Sequence, residues 1–243
     1  MRTVADVLAG FRSLPAADIH TVLDGGKALI LAPHPDDESL GCGGFIASAC
    51  IAGHAPIVVI LTDGAASHPG SRQCPPARLR AVREAEARDA VARLGLPPDN
   101  LIFLRHADTG LPASGPDFET ACNNIAMIAH TTGCALLVAP WHGDPHCDHQ
   151  AAALMAAAVA ARGRLRLLSY PVWGWLRDGD DRVGEARHGG YRLDITDHLS
   201  AKQHAIAAHV SQYGGLITDS PAGFQLPPAL LAVFEAPFEV FIE

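Results

Sequence analysis

Basic residues are in short supply: 18 Lys and Arg stand against 26 Asp and Glu, a net charge of −8 with histidine neutral. A nucleic-acid groove needs concentrated positive charge, so this balance argues against a nucleic-acid partner. No apolar run has bilayer length. The longest strongly apolar stretch, Ala151 to Ala161, is alanine-rich and too short to span. Met1 to Asp18 lacks a signal-peptide pattern, because Asp6, Gly10 and Arg12 interrupt any apolar core. These absences lead to the expectation of a soluble, cytoplasmic protein. C-x-x-C pairs are also missing. Cys42, Cys50, Cys74, Cys122, Cys134 and Cys147 are scattered, and in a reducing compartment they read as free thiols, most of them small core residues. There is no H-E-x-x-H, no G-x-G-x-x-G, no internal repeat and no low-complexity linker.

What remains is an ordinary globular composition, 49% hydrophobic and 18% charged. A chain of 243 residues can bury a substantial core and fits one domain spanning 1–243 better than two. Thirteen histidines are many for this length and point towards metal or proton chemistry. Short apolar runs alternate with longer helical patterns. Ala28 to Ala32, Ile57 to Leu61, Leu101 to Leu104, Ala135 to Ala139 and Leu165 to Tyr170 read as buried strands. Leu40 to Ala52, Pro76 to Leu94, Phe118 to Thr131, His149 to Ala161 and Leu199 to Gln212 read as helices. This alternation predicts an α/β, three-layer, Rossmann-like domain with a mostly parallel sheet of about five to six strands. Asp178 to Gly190 reads as a surface loop and Tyr191 to Ile195 as an edge strand. The core covers about 27–213, and the proline-marked tail 214–243 is expected to wrap the surface.

Ligands in such sheets bind beyond the carboxyl ends of the strands. Two polar clusters lie there. His34-Pro35-Asp36-Asp37-Glu38 follows the first predicted strand, and Trp141 to His149 follows the fourth. Together they hold four histidines and five carboxylates in fourteen positions. A catalytic zinc takes three protein ligands and keeps one position open. One histidine and one aspartate from the first cluster, with one histidine from the second, would meet that count, and several sets do so. A free carboxylate and a free imidazole would then remain for hydrolysis. An Asp-Asp pair after a strand also suits a helix N-cap. Pro145 disfavours a helical pairing of His142 with His146.

Ala32-Pro33-His34-Pro35-Asp36-Asp37-Glu38 resembles the A-H-P-D-D-E motif of the LmbE/PIG-L family of N-deacetylases, offset by the extra Pro33. His146-Cys147-Asp148-His149, followed by Ala152, resembles its second motif, H-x-D-H-x-x-A. Weaker similarities are Thr62-Asp63-Gly64, Arg83-x-x-Glu86, Asp108, Lys202 and His209-x-Ser211-Gln212, so that the resemblance spans roughly 27–213. It implies a zinc-dependent deacetylase acting on a small N-acylated amino sugar or conjugate. It assigns His34, Asp37 and His149 to the metal, Asp36 to the general base, and His146 to oxyanion stabilisation and amine protonation. Asp148 would orient one of the histidines. Arg83 and Asp108 would touch substrate hydroxyls, although Arg83 and Glu86 could equally form an i,i+3 helix pair. Asp144 is assigned to the substrate, with a histidine contact or a turn as alternatives. The metal is Zn2+, with another divalent ion such as Fe2+ as the variant.

The runner-up among enzymes is a deacylase acting on a non-sugar or lipid-linked amide. Outside enzymes, a nucleotide-binding or non-catalytic metal-binding protein competes. Gly41-Cys42-Gly43-Gly44 lies within a helical stretch and reads as close packing rather than a phosphate loop. Trp173 and Trp175 suit either sugar stacking or packing. Cys147 would be turned away from the histidines by its helix. A monomer and a homo-oligomer both fit the sequence.

Overall fold

Leucine-rich and β-branched runs form the central strands of the computed structural model, which describes residues 2–183 and 189–243. The chain begins with β1 (Arg2–Thr3), α1 (Val4–Arg12), β2 (Ala16–Ala17), α2 (Ile19–Leu23) and β3 (Lys27–Ala32). It continues through α3 (Asp37–Ile51), β4 (Ile57–Thr62), α4 (Pro76–Arg93), β5 (Leu101–His106), α5 (Gly115–Thr132) and β6 (Cys134–Pro140). Then come α6 (Cys147–Gly163), β7 (Arg166–Tyr170), β8 (Arg182–Val183) and β9 (Gly190–Asp194). The last elements are α7 (Leu199–Ala208), α8 (Val210–Tyr213), α9 (Pro228–Val233) and β10 (Phe238–Ile242).

The main sheet runs β2-β9-β10-β7-β6-β3-β4-β5. Its β7-β6-β3-β4-β5 portion is parallel throughout. These are the five apolar runs expected as buried strands, except that β5, at the sheet's edge, is only partly buried. From β3 the chain winds outward to β4 and β5, then crosses back so that β6 pairs on the other side of β3. That reversal opens a crevice at the carboxyl ends of β3 and β6. Strand periodicity divides the core. Ala28, Ile30 and Ala32 face one layer with Phe45, Ala87 and Ile206, while Leu29 and Leu31 face the other with Ile125 and Met155.

The sheet has eight strands where five to six were expected. The main source is the C-terminal segment. It does not simply wrap the surface: β10 inserts antiparallel between β7 and β9, with Val240, Phe241 and Ile242 buried. The Tyr191 to Ile195 run is correspondingly flanked on both sides, by β2 and β10, and is not an edge. Within Asp178 to Gly190, Arg182 and Val183 pair with β1. Residues 184–188 of that expected loop lie outside the described residues. The helix expected over 199–212 breaks at His209 (φ −78°, ψ 60°) into α7 and α8.

The glycines of α3 are packing positions, as expected. A Cβ on Gly41 would overlap the Tyr170 ring, and one on Gly44 would overlap Ile195. β10 also grips this helix. Glu239 accepts the backbone N–H groups of Gly44 and Phe45 at 2.7 Å each and pairs with buried Lys202 at 2.7 Å. All six cysteines are free. Among the described residues, no helix is long and apolar enough to cross a membrane.

Candidate active site

β3 delivers His34, Asp36 and Asp37 to the crevice, and β6 delivers Asp144, His146, Asp148 and His149. Asp37 occupies the first position of α3, and its Oδ2 lies 3.2 Å from both His34 Nδ1 and His149 Nε2. The other nitrogen of each ring has its own carboxylate. His34 Nε2 lies 3.0 Å from Asp148 Oδ2 and 3.3 Å from Asp108 Oδ1. His149 Nδ1 lies 2.9 Å from Asp144 Oδ2. With the outer N–H groups donating to those carboxylates, the inner nitrogens present lone pairs towards Asp37 Oδ2. Three acceptors thus converge, and His149 Nε2 is buried without a hydrogen-bond partner. Such a donor set fits a divalent cation of the zinc type.

The charge balance agrees. Burial pulls the His34 imidazole down, but its hydrogen bonds to the carboxylates of Asp108, Asp148 and Asp37 outweigh it and hold its pKa well above the ordinary value. His149 is likewise opposed by burial, yet Asp37 and Asp144 push it up to about 9. Asp37 is raised by burial, but the charge of His149 and the hydrogen bond and charge of His34 bring it well below the usual carboxylate range. Without a metal, protons on the two rings supply the positive charge that this carboxylate attracts. Ligand atoms of His34, His146 and His149 also lie within 4.8 Å of one another, so His146 stands at the edge of the same cluster.

His146 N-caps α6: its Nδ1 accepts the Asp148 backbone N–H at 3.2 Å. That contact fixes Nδ1 as an acceptor and leaves Nε2 to carry the ring proton. Burial, followed by the charges of His34 and His149, lowers its pKa. Asp36 stands at the N-cap of α3 but makes no capping hydrogen bond. Its backbone is in an unusual conformation (φ 151°, ψ −30°), the kind of local strain that costs about 1–3 kcal/mol and clusters at functional sites. Burial raises the Asp36 carboxyl to about 6, against the opposing pull of Arg83 and with the help of Asp37.

His34, Asp36, Asp37, Asp108 and His146 line a cavity of about 280 Å³. Leu40, Trp173 and Phe224 form much of its apolar wall, and the Trp173 and Phe224 rings meet edge to face at 5.7 Å. Of the two tryptophans, only Trp173 reaches the cavity; Trp175 packs on Phe11 and Arg12. Asp144 does not meet the cavity. It is fully buried and bonds His149 together with the amides of Val172, Trp173 and Gly174, so its place is behind His149. Arg83 also lines the cavity, and its guanidinium binds Asp36 Oδ2 (3.0 Å), Pro35 O (2.7 Å) and Gly64 O (3.0 Å). It does not pair with Glu86, whose carboxylate takes the N–H and hydroxyl of Ser211. Asp148 Oδ2 lies 3.0 Å from His34 Nε2, and its carboxylate also accepts the amides of Thr109 and Leu111.

Residues 29–160, more than half of the chain, match the family described as PIG-L, GlcNAc-PI de-N-acetylase. The chain belongs to the PIG-L family. A curated relative, 2′-N-acetylparomamine deacetylase of Streptomyces fradiae, is 29% identical over an alignment of 139 residues that covers 51% of this chain and 48% of that protein. The chain thus spans about half the length of the curated relative it matches. Among solved structures, N,N′-diacetylchitobiose deacetylase from Pyrococcus horikoshii is 21% identical with a TM-score of 0.66, covering 93% of this chain and 87% of that one. A conserved protein of Thermus thermophilus is 27% identical with a TM-score of 0.59, covering 77% of this chain and 80% of that one. In this PIG-L chain both motifs meet at one crevice. Phe224 escapes sequence reasoning because a single aromatic in an irregular segment carries no periodic signal, whereas Trp173, open there between stacking and packing, lines the cavity.

Proposed function

We propose that this PIG-L chain removes the N-acetyl group from an amino sugar or a conjugate of one, with Zn2+ as its metal. The observation that carries the reading is the convergence of His34, Asp37 and His149 on one point, with the Asp36 carboxylate, held by Arg83 through Oδ2, lining the same cavity. The relatives from Streptomyces fradiae and Pyrococcus horikoshii, named for deacetylating N-acetylated amino sugars, support it. The cavity, about 280 Å³, is near the small end of ligand sites. It suits one sugar ring with its acetamido group, and the remainder of a larger conjugate would stay outside.

His34, Asp37 and His149 would hold the metal, whose Lewis acidity acts on water and on the amide carbonyl when it is bound. Asp36, with its carboxyl raised to about 6, is ionised near neutrality and takes the proton of the attacking water. His146, whose Nε2 carries the ring proton, lines the cavity and would donate to the oxyanion that develops on the carbonyl. One well-placed donor of this kind is worth about 3–4 kcal/mol. The proton is then returned to the departing nitrogen, so that water has been added across the C–N bond and acetate and a free amine leave. Trp173 offers an aromatic face to the ring of the sugar. The partner in this reading is a small molecule.

The test is acetate release from N-acetylglucosamine, N,N′-diacetylchitobiose and 2′-N-acetylparomamine, with bound metal measured in parallel. Asp36→Ala should abolish turnover while keeping its metal, and His149→Ala should lose the metal itself. An Asp36→Ala protein as active as wild type would remove the base assignment.

A further inference from the structure

Side chains rarely tolerate the backbone conformation of Asp36, so its neighbours must impose it. One restraint acts on the side chain, where Arg83 holds Oδ2. Another acts on the backbone: the Asp36 N–H donates to Glu38 Oε2 at 3.0 Å. Glu38 is itself fixed from a distant part of the chain. Its Oε1 accepts the Ser39 hydroxyl at 2.6 Å and lies 2.9 Å from His209 Nε2. Glu38 and His209 are both fully buried, and neither lines the cavity. His209 sits at the break between α7 and α8, and its Nδ1 has no hydrogen-bond partner. A buried carboxylate and imidazole, one of them incompletely satisfied, are weak evidence of stabilisation for its own sake. What the pair holds is the amide of Asp36.

We propose that Glu38 and His209 are positioning residues for the catalytic base. Glu38, anchored by His209, pins the Asp36 amide and keeps the chain twisted at this point. The twist separates two adjacent carboxylates, sending Asp37 to the histidines and Asp36 to the cavity wall with no capping role. Arg83 then fixes the carboxylate itself. Base geometry is thereby set by a contact spanning 171 residues. The inference rests on the reading of Asp36 as the base.

The experiment compares wild type, Glu38→Ala, Glu38→Gln and His209→Ala by kcat and KM on the best substrate of the panel above. Metal content, the unfolding midpoint and crystal structures are measured alongside. Misplacing a catalytic group by about 1 Å can cost about 100-fold, and Glu38→Ala should lower kcat on that order with KM and metal content unchanged. Glu38→Gln keeps an oxygen for the Asp36 amide and should regain most of the lost rate. His209→Ala should show a smaller loss, again in kcat alone. In the crystal, Asp36 should leave its positive φ in Glu38→Ala and keep it in Glu38→Gln. Folded Glu38→Ala or His209→Ala protein with wild-type kcat overturns the proposal. So does equal loss in folded Ala and Gln variants at position 38, or loss of metal together with rate. Should Glu38→Ala not fold, His209→Ala and the φ of Asp36 in its crystal structure decide. An active Asp36→Ala control would instead defeat the base assignment, a separate failure.

Discussion

At the back of the site, Asp144 accepts four hydrogen bonds, from His149 Nδ1 and from the amides of Val172, Trp173 and Gly174. One carboxylate therefore fixes the tautomer of a proposed ligand and the start of the segment that brings Trp173 to the cavity. Partners of this kind are worth about 10–100-fold in metal affinity, and Asp144→Ala should weaken zinc binding on that scale. Competition with a chromophoric chelator measures it. Unchanged affinity would show that His149 needs no orienting partner.

α3 carries Asp37 at its first position and packs by glycine rather than by a conventional apolar stripe. Gly41 lies against Tyr170, which is fully buried and donates its hydroxyl to Leu31 O at 2.8 Å, so the ring has little room to retreat. Gly41→Ala should destabilise the protein by about 1–3 kcal/mol through overpacking. Gly10, inside α1, is the opposite case: a Cβ added there would meet nothing within 4 Å. Gly10→Ala should therefore stabilise by about 0.5–1 kcal/mol, because alanine loses less freedom in a helix. Denaturant unfolding of both variants checks the contrast. If the two shifts share a sign, close packing is not what selects glycine at position 41.

For the molecule as a whole, the site is a junction. Its motifs come from strands on either side of the β3/β6 crossover, and the helix bearing Asp37 is clamped from the C-terminus by Glu239 and Lys202. The metal-free protein should report this concentration of charge through its pH dependence. His149 is opposed by burial but raised by Asp37 and Asp144 to about 9, above its ordinary 6.5. A raised histidine contributes stability that is complete below the ordinary pKa and is lost as pH climbs through the folded one. The chelated protein should thus lose stability between about pH 6.5 and 9, and zinc affinity should rise over that window as Nε2 gives up its proton. Unfolding midpoints with and without metal test this. Chelated protein whose stability is flat or rising there would contradict the charge state assigned to His149.

β3, β4 and β6 were legible in the sequence because a strand buried on both faces must be a continuous apolar run, a local property, and β5 and β7 carry similar runs though they are only partly buried. The placement of His34, Asp37 and His149 at strand ends was legible too, since polar residues adjoining such runs fall at the sheet's edge. Composition and spacing left several ligand sets open, and the paired motifs chose among them. The insertion of β10, the grip of Arg83 on Asp36, the reach of His209 to Glu38 and the retreat of Asp144 behind His149 were decided only in three dimensions. Arg83 and Asp36 are 47 positions apart, and Glu38 and His209 are 171 apart. No periodicity in one segment names a partner at that distance. A charged side chain shows in the sequence that it will need a partner when buried, while packing of the whole sheet determines which partner it meets.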